Sequence, residues 1–123
     1  MKFTLDNPTA DYVFGNYGDG KLKVNQSEYN TSLIILPDKL YTDWPVASDD
    51  DLEAQHFEQI ITRNPDIVLL GTGLQQKFPS VELRRSLVQA QLNLEVMDTA
   101  AACRTYNLLV AEGRDVAAAV IIF

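Results

Sequence analysis

The rhythm of apolar and polar positions changes near residue 45. Before it, short apolar stretches are separated by turn residues. Tyr12-Val13-Phe14 reads as a strand, and Gly15-Asn16-Tyr17-Gly18-Asp19-Gly20 as a turn, because glycine and asparagine tolerate positive φ. Leu22 and Val24 alternate with lysines, as in a half-buried strand. Leu33-Ile34-Ile35-Leu36, led by Ser32 and ended by Pro37, suits a strand buried on both faces. Tyr41-Thr42-Asp43-Trp44 predicts a further short extended segment.

After residue 45, helical and strand patterns alternate. Ser48 followed by Asp49, Asp50 and Asp51 predicts a helix start, since serine caps and carboxylates suit the positive helix end. That helix is expected to reach about Arg63 with Phe57, Ile60 and Ile61 inward, and to stop at Asn64 because Pro65 follows. Residues 67–70 read as a buried strand ended by Gly71-Thr72-Gly73. Ser80 caps the next predicted helix, with Leu83, Leu87 and Val88 toward the core, Arg85 outward and Arg84 nearer the margin. Residues 92–97 predict a strand, and Asp98 or Thr99 caps a helix to about Glu112, where Gly113 serves as the left-handed terminator. Residues 116–123 form the last predicted strand.

This order implies an α/β fold: a single three-layer domain over residues 1–123, with a central mixed, mostly parallel sheet covered by helices and an N-terminal strand-rich part. The N-terminal strands either extend that sheet or fold over an edge, and the direction of the last strand is open.

Charge narrows the function. The formal net charge is −7, which repels phosphate backbones and anionic headgroups, so neither nucleic acid nor direct membrane insertion is expected. No apolar run approaches the roughly 20 residues that span a bilayer. The start, MKFTLDNPTADY, lacks the apolar region of a secretory signal, so a soluble, cytoplasmic protein is expected. Cys103 is the one cysteine and His56 the one histidine, which leaves no disulfide framework and no cysteine-cluster zinc site; neither a metal nor another cofactor is expected.

Candidate chemistry gathers at two strand ends. Gly71, Thr72 and Gly73 follow a buried strand, where open α/β sheets collect ligands, but Gln76 occupies the third glycine position of a dinucleotide fingerprint. They serve either as an ordinary turn or as a contact for a small ligand. Asp98 and Thr99 begin a helix whose N-terminus, with Arg104, offers positive charge to an anion or a partner's carboxylate; the alternative is plain capping. Cys103 beside Arg104 is either a low-pKa thiolate or a packing residue on the stripe with Thr99, Ala100, Tyr106 and Val110. His56 is expected at the margin of an apolar face, and the three aspartates as a solvated helix start. Tyr41, Trp44 and Phe78 lie in or beside loops and are candidate interface aromatics, with Trp44 alternatively closing one end of the core.

Asn64-Pro65-Asp66-Ile67-Val68-Leu69-Leu70-Gly71-Thr72-Gly73 and then Glu95-Val96-Met97-Asp98-Thr99-Ala100-Ala101-Ala102-Cys103-Arg104-Thr105-Tyr106-Asn107-Leu108-Leu109, followed by Glu112-Gly113-Arg114, resemble a pair of motifs in the family of mitochondrial complex I assembly factor 3. The adipogenesis-associated protein sharing that domain is a more distant relative. The likeness runs from about Tyr12 to the end and is of the bacterial type. It implies a compact three-layer α/β domain with a mixed sheet, no established enzymatic activity and no accepted catalytic residues. The mitochondrial member is a matrix-side factor that helps to build the respiratory NADH dehydrogenase with a protein partner. What carries over residue by residue is Gly71 and Gly73, then Asp98, Thr99, Cys103, Arg104, Tyr106 and Asn107.

Two readings follow. The first is a non-catalytic assembly or interaction module with a protein partner, linked to respiratory NADH dehydrogenase assembly and open to homo-oligomerisation through an edge strand or the aromatic loops. The alternative is a small-anion or small-molecule binding protein or enzyme with its site at residues 71–73 and 98–104. The absence of an evident nucleophile–base pair favours the first.

Overall fold

The central strand of the fold, β8 (Val116–Val120), is Val-Ala-Ala-Ala-Val, and all five residues are buried. In the computed structural model, which describes residues 10–122, β8 lies in the middle of a five-stranded sheet of order β5-β4-β8-β6-β7. Its neighbours are β4 (Leu33–Leu36) on one side and β6 (Ile67–Gly71) on the other; β5 (Lys39–Tyr41) and β7 (Leu94–Met97) form the edges. The pairs β8·β6 and β6·β7 are parallel, while β4 runs antiparallel to both β8 and β5, so the sheet is mixed.

Alternation along these strands sorts the core onto two faces. Ile34, Ala119 and Leu70 stand in one cross-strand row, with Phe57, Ile60, Leu83 and Leu87 packed on that face. Ile35, Ala118 and Leu69 form the next row and point to the other face, toward Cys103, Tyr106 and Val110. In each row a small alanine of β8 sits between large neighbours, the large–small interdigitation that fills a core without overpacking.

The first face is covered by two short 3-10 turns, Asp49–Asp51 and Ala54–Phe57, then by α1 (Glu58–Arg63) and α2 (Val81–Gln89). The expected continuous helix from Ser48 is broken at Leu52 and Glu53, both extended. Local hydrogen bonding explains the break. Ser48 caps the first turn, and Glu53 starts a new one whose His56 Nδ1 accepts the Glu53 N–H at 2.9 Å. Asn64 ends α1 in the left-handed conformation, φ 55°, before Pro65. At that end Arg63 bridges Asp38 (2.6 Å) and Asp115 (2.7 Å), joining α1 to the β4–β5 turn and the approach to β8. Val88, expected inward, is 68% exposed, at the groove that α2 forms with β7, while Leu83 and Leu87 fill the core stripe of the helix.

The second face is covered by α3 (Thr99–Ala111) and by an antiparallel meander, β1 (Phe14–Gly18), β2 (Lys21–Val24) and β3 (Ser27–Tyr29). The meander is a separate sheet packed beside α3 on this face rather than an extension of the main one. The stretch expected to be a turn from Gly15 continues instead as strand with a bulge. Only Asp19 and Gly20, at φ 54° and 73°, close the hairpin, matching the paired positive φ of a type I′ turn. The polar Ser27-Glu28-Tyr29 strand carried no apolar alternation to reveal it.

Asn107 fastens the meander. Its Oδ1 accepts the Phe14 N–H at 2.9 Å and its Nδ2 donates to the Phe14 carbonyl at 2.8 Å, so one side chain mimics a neighbouring strand. Beside it the Tyr106 hydroxyl donates to the Tyr12 carbonyl at 2.9 Å, and the Phe14 and Tyr106 rings meet edge to face at 5.4 Å. Asn107→Ala is expected to cost about 1–3 kcal/mol, because it leaves part-buried backbone groups of Phe14 unpaired. Amide exchange locates the effect: Leu22 and Lys23 should exchange faster while Leu69 and Ala118 do not. Uniform acceleration would show that Asn107 does not act on the meander selectively.

Candidate functional site

Three strands end together where α3 begins. Thr99, the first residue of α3, is fully buried, and its hydroxyl donates to the Ile121 carbonyl at 2.7 Å while accepting the Gly73 N–H at 2.8 Å. The Thr99 N–H donates to the Gly73 carbonyl at 2.9 Å, the Thr72 N–H to Met97 at 3.0 Å, and the Ile121 N–H to Gly71 at 2.9 Å. One hydroxyl thus joins the carboxyl ends of β6 and β8 to the start of α3.

The glycines serve this junction. A Cβ on Gly71 would sit 2.9 Å from both the Cα and Oγ1 of Thr99 and 3.1 Å from the Cβ of Ala102, so only glycine lets α3 lie this close. Gly73 has open space around it but a φ of +96°, which side chains rarely adopt. Thr72 is 5% exposed; its hydroxyl donates to the Gln75 carbonyl at 2.6 Å and accepts the Lys77 N–H at 3.0 Å, holding the loop that follows. Asp98 caps α3 by accepting the Ala101 N–H at 2.8 Å.

The structure therefore brings Gly71, Thr72, Gly73, Asp98 and Thr99 together, and the backbone donors of Thr72, Gly73, Thr99 and Ala101 have partners within the chain. Arg104 is exposed and its Nη1 donates to the Tyr17 hydroxyl at 2.9 Å, toward β1. Cys103 points into the core beneath the meander at 1% exposure. The expected lowering of its pKa is reversed: burial pushes the thiol up to about 12 against a smaller opposing pull from Arg104. Among the described residues, no group of three or more His, Cys, Asp and Glu side chains is placed to hold a metal ion.

The interface aromatics separate. Trp44 is 5% exposed, donates from Nε1 to the His56 carbonyl at 2.8 Å, and packs edge to face against Phe57 at 5.8 Å, so it closes the core. Tyr41 is half-buried and lines a cavity of about 400 Å³ beside Trp44 and His56. Phe78 is exposed at 64%, with the Arg84 guanidinium 5.8 Å from its ring centre. Phe78, Arg84, Val88, Leu94 and Val96 line a groove of about 470 Å³ between α2 and β7. Leu74 and Val81 are also exposed on this stretch. Sequence reading missed Leu74, Val81 and Val88; the available signal was a run of large apolar residues in a loop and on a helix whose core stripe was already filled by Leu83 and Leu87.

Substitutions test the junction. Gly71→Ala should destabilise by about 1–3 kcal/mol, because Thr99 backbone must shift. Thr99→Val should cost about 1–3 kcal/mol for each buried polar group left unpaired, with Thr99→Ser recovering much of it; urea midpoints report both.

Cys103 generates a pH prediction. The fold holds the neutral thiol and the unfolded chain titrates near ~8.5, so this stabilisation is present below that range and is lost as pH rises toward about 12. A thiol reagent at pH 8 should label urea-unfolded chain rapidly and native chain slowly. Equal rates would show the thiol to be accessible.

Comparison with known proteins adds relatives. A protein-family model described as "Protein of unknown function (DUF498/DUF598)" matches residues 14–121. The "13 kDa major membrane protein" of Francisella tularensis is 33% identical over 91% of this chain and 92% of its own. The "NADH dehydrogenase [ubiquinone] 1 alpha subcomplex assembly factor 3" of Bos taurus is 30% identical over 94% of this chain, which spans only 63% of that protein. A crystal structure of a Bordetella parapertussis protein superposes with a TM-score of 0.85 at 36% identity, covering 95% of this chain and all of that one.

Proposed function

The chain belongs to the DUF498/DUF598 family of proteins of unknown function, and on that premise we propose that it is a non-catalytic module that holds a protein partner during assembly of a larger complex. The observation that carries this reading is the groove between α2 and β7, where Phe78 and Val88, exposed at 64% and 68%, stand among polar side chains such as Gln76 and Arg84. Large exposed apolar side chains rimmed by polar ones suit protein partners. The name of the cattle relative supplies the candidate complex, the respiratory NADH dehydrogenase.

Several features support the reading. Cys103 is neutral and buried, which removes the one cysteine as a ready nucleophile. The N–H groups of Thr72, Gly73, Thr99 and Ala101 are engaged within the chain, so the small-ligand alternative at residues 71–73 and 98–104 has less support. The net charge of −7 weighs against nucleic acid as the partner. No helix among the described residues is long and apolar enough to cross a membrane, and the proposed module works without inserting into one. In this reading the module works in the cytoplasm. The chain acts as one domain in this reading, since among the described residues, 10–122, both core clusters share the five-stranded sheet.

Deletion in the source organism tests the proposal. Loss of the chain should lower fully assembled NADH dehydrogenase on native gels, with subcomplexes accumulating. Restoring Phe78→Asp/Val88→Asp should fail to rescue, with partner affinity reduced roughly tenfold or more and the melting temperature little changed. Unchanged assembly in the deletion would reject the reading.

A further inference from the structure

The edge strand β7 turns hydrogen-bonding groups away from the sheet. The Val68 N–H donates to the Asn93 carbonyl at 2.8 Å and the Thr72 N–H to Met97 at 3.0 Å, so residues 93, 95 and 97 direct their peptide groups to β6. By strand alternation, the peptide groups of Leu94 and Val96 face outward, and β7 is the last strand on that side. Gln76 Nε2 covers the Val96 carbonyl at 2.9 Å, leaving both N–H groups and the Leu94 carbonyl along the open edge. The opposite edge is better guarded: β5 begins at Lys39, beside the Asp38–Arg63 ion pair. Charged residues of this kind discourage edge pairing. The β7 sequence, Leu-Glu-Val-Met, carries one charge, Glu95, and runs beside the Phe78–Val88 groove.

We propose that β7 accepts an extended segment of a different protein as an added strand, with its apolar side chains in the groove and a basic residue opposite Glu95. The proposal rests on the assembly-module reading and gives that module its docking surface.

Charge selects the occupant. Leu94 and Val96 pack toward the α1–α2 face, which places the exposed Glu95 on the other face of the strand. In the antiparallel register that pairs both outward residues of β7, Leu94 opposite Val96 of a second copy, Glu95 opposes Glu95 of that copy. Like charges directly opposite destabilise a strand pair. Two chains of net charge −7 would repel as well. A lysine or arginine at the same place makes the same geometry attractive. The groove of about 470 Å³ lies on the α2 side, where alternate apolar side chains of the added strand would point.

The test titrates the full-length, isotope-labelled chain with two short peptides of alternating valine and threonine, identical except for a central lysine or a central glutamate. At roughly millimolar peptide, where weak strand addition becomes visible, the lysine peptide should shift the Leu94 and Val96 amide signals and slow their exchange. It should bind about 2- to 10-fold more tightly than the glutamate peptide. Glu95→Lys should invert that preference. Val96→Pro, which removes an outward N–H at an edge position, should abolish binding with the melting profile retained; if that variant misfolds, the charge inversion alone decides. No response at Leu94 and Val96, or a response confined to other residues, overturns the proposal. So does protection of those two amides that rises with protein concentration in the absence of peptide, which would make a second copy the occupant. An assembly defect in the deletion strain with no β7 response would leave the module reading standing and remove this surface. A β7 response without any assembly defect would do the reverse.

Discussion

Gly71 has no side chain because Thr99 stands where one would be. That contact sets how closely α3 approaches the sheet, and much else depends on it. Helix α3 shares one face of the main sheet with the meander and packs against β1, so its distance from β6 helps to set where Cys103, Tyr106 and Val110 meet Phe14, Leu22 and Val24. The Thr99 hydroxyl then joins Gly73 to Ile121, which holds the ends of β6 and β8 level. A buried hydroxyl with both a donor and an acceptor partner is stabilising only if neither is lost, which makes this a rigid point.

The two faces of the sheet are covered differently. The α3 face is closed by the meander and pinned through Asn107 and Tyr106. The α1–α2 face is closed over β4, β8 and β6, but thins toward β7, where α2 presents Val88 to solvent and the preceding loop presents Phe78. Surface available to a partner therefore arises where the covering layer is narrower than the sheet. The rigid junction and the open groove occupy neighbouring parts of the same strand end, since Thr72 anchors the loop that carries Gln76 and Phe78.

Much of the fold was legible because its strands announce themselves. The run Leu33-Ile34-Ile35-Leu36 and the run after Asp66 are apolar at every position, which only a strand covered on both faces tolerates. Caps at Ser80 and Asp98 were also readable, because each side chain bonds an N–H three residues ahead. The break at Leu52, the continuation of β1 through Gly15 and the strand at Ser27 were not, because each is decided by pairing or capping with few apolar residues involved. At the candidate site, sequence pointed to Gly71, Gly73, Asp98 and Thr99 as neighbours in function. Two hydrogen bonds between Gly73 and Thr99, and the close approach of Gly71 to Thr99, make their proximity a structural junction.

The sequence by itself determined the elements after residue 64, their α/β class and the acidic surface, because periodicity, capping and charge are local or additive properties. Tertiary structure alone decided the rest. Whether Cys103 is a thiolate depended on its burial in the core shared by α3, the main sheet and the meander, since desolvation outweighs the charge of its sequence neighbour Arg104. Whether Val88 was core or surface depended on where the sheet stops, and which strand kept an open edge depended on the order β5-β4-β8-β6-β7. Those are properties of what lies across space from a residue, and no pattern along the chain encodes them locally.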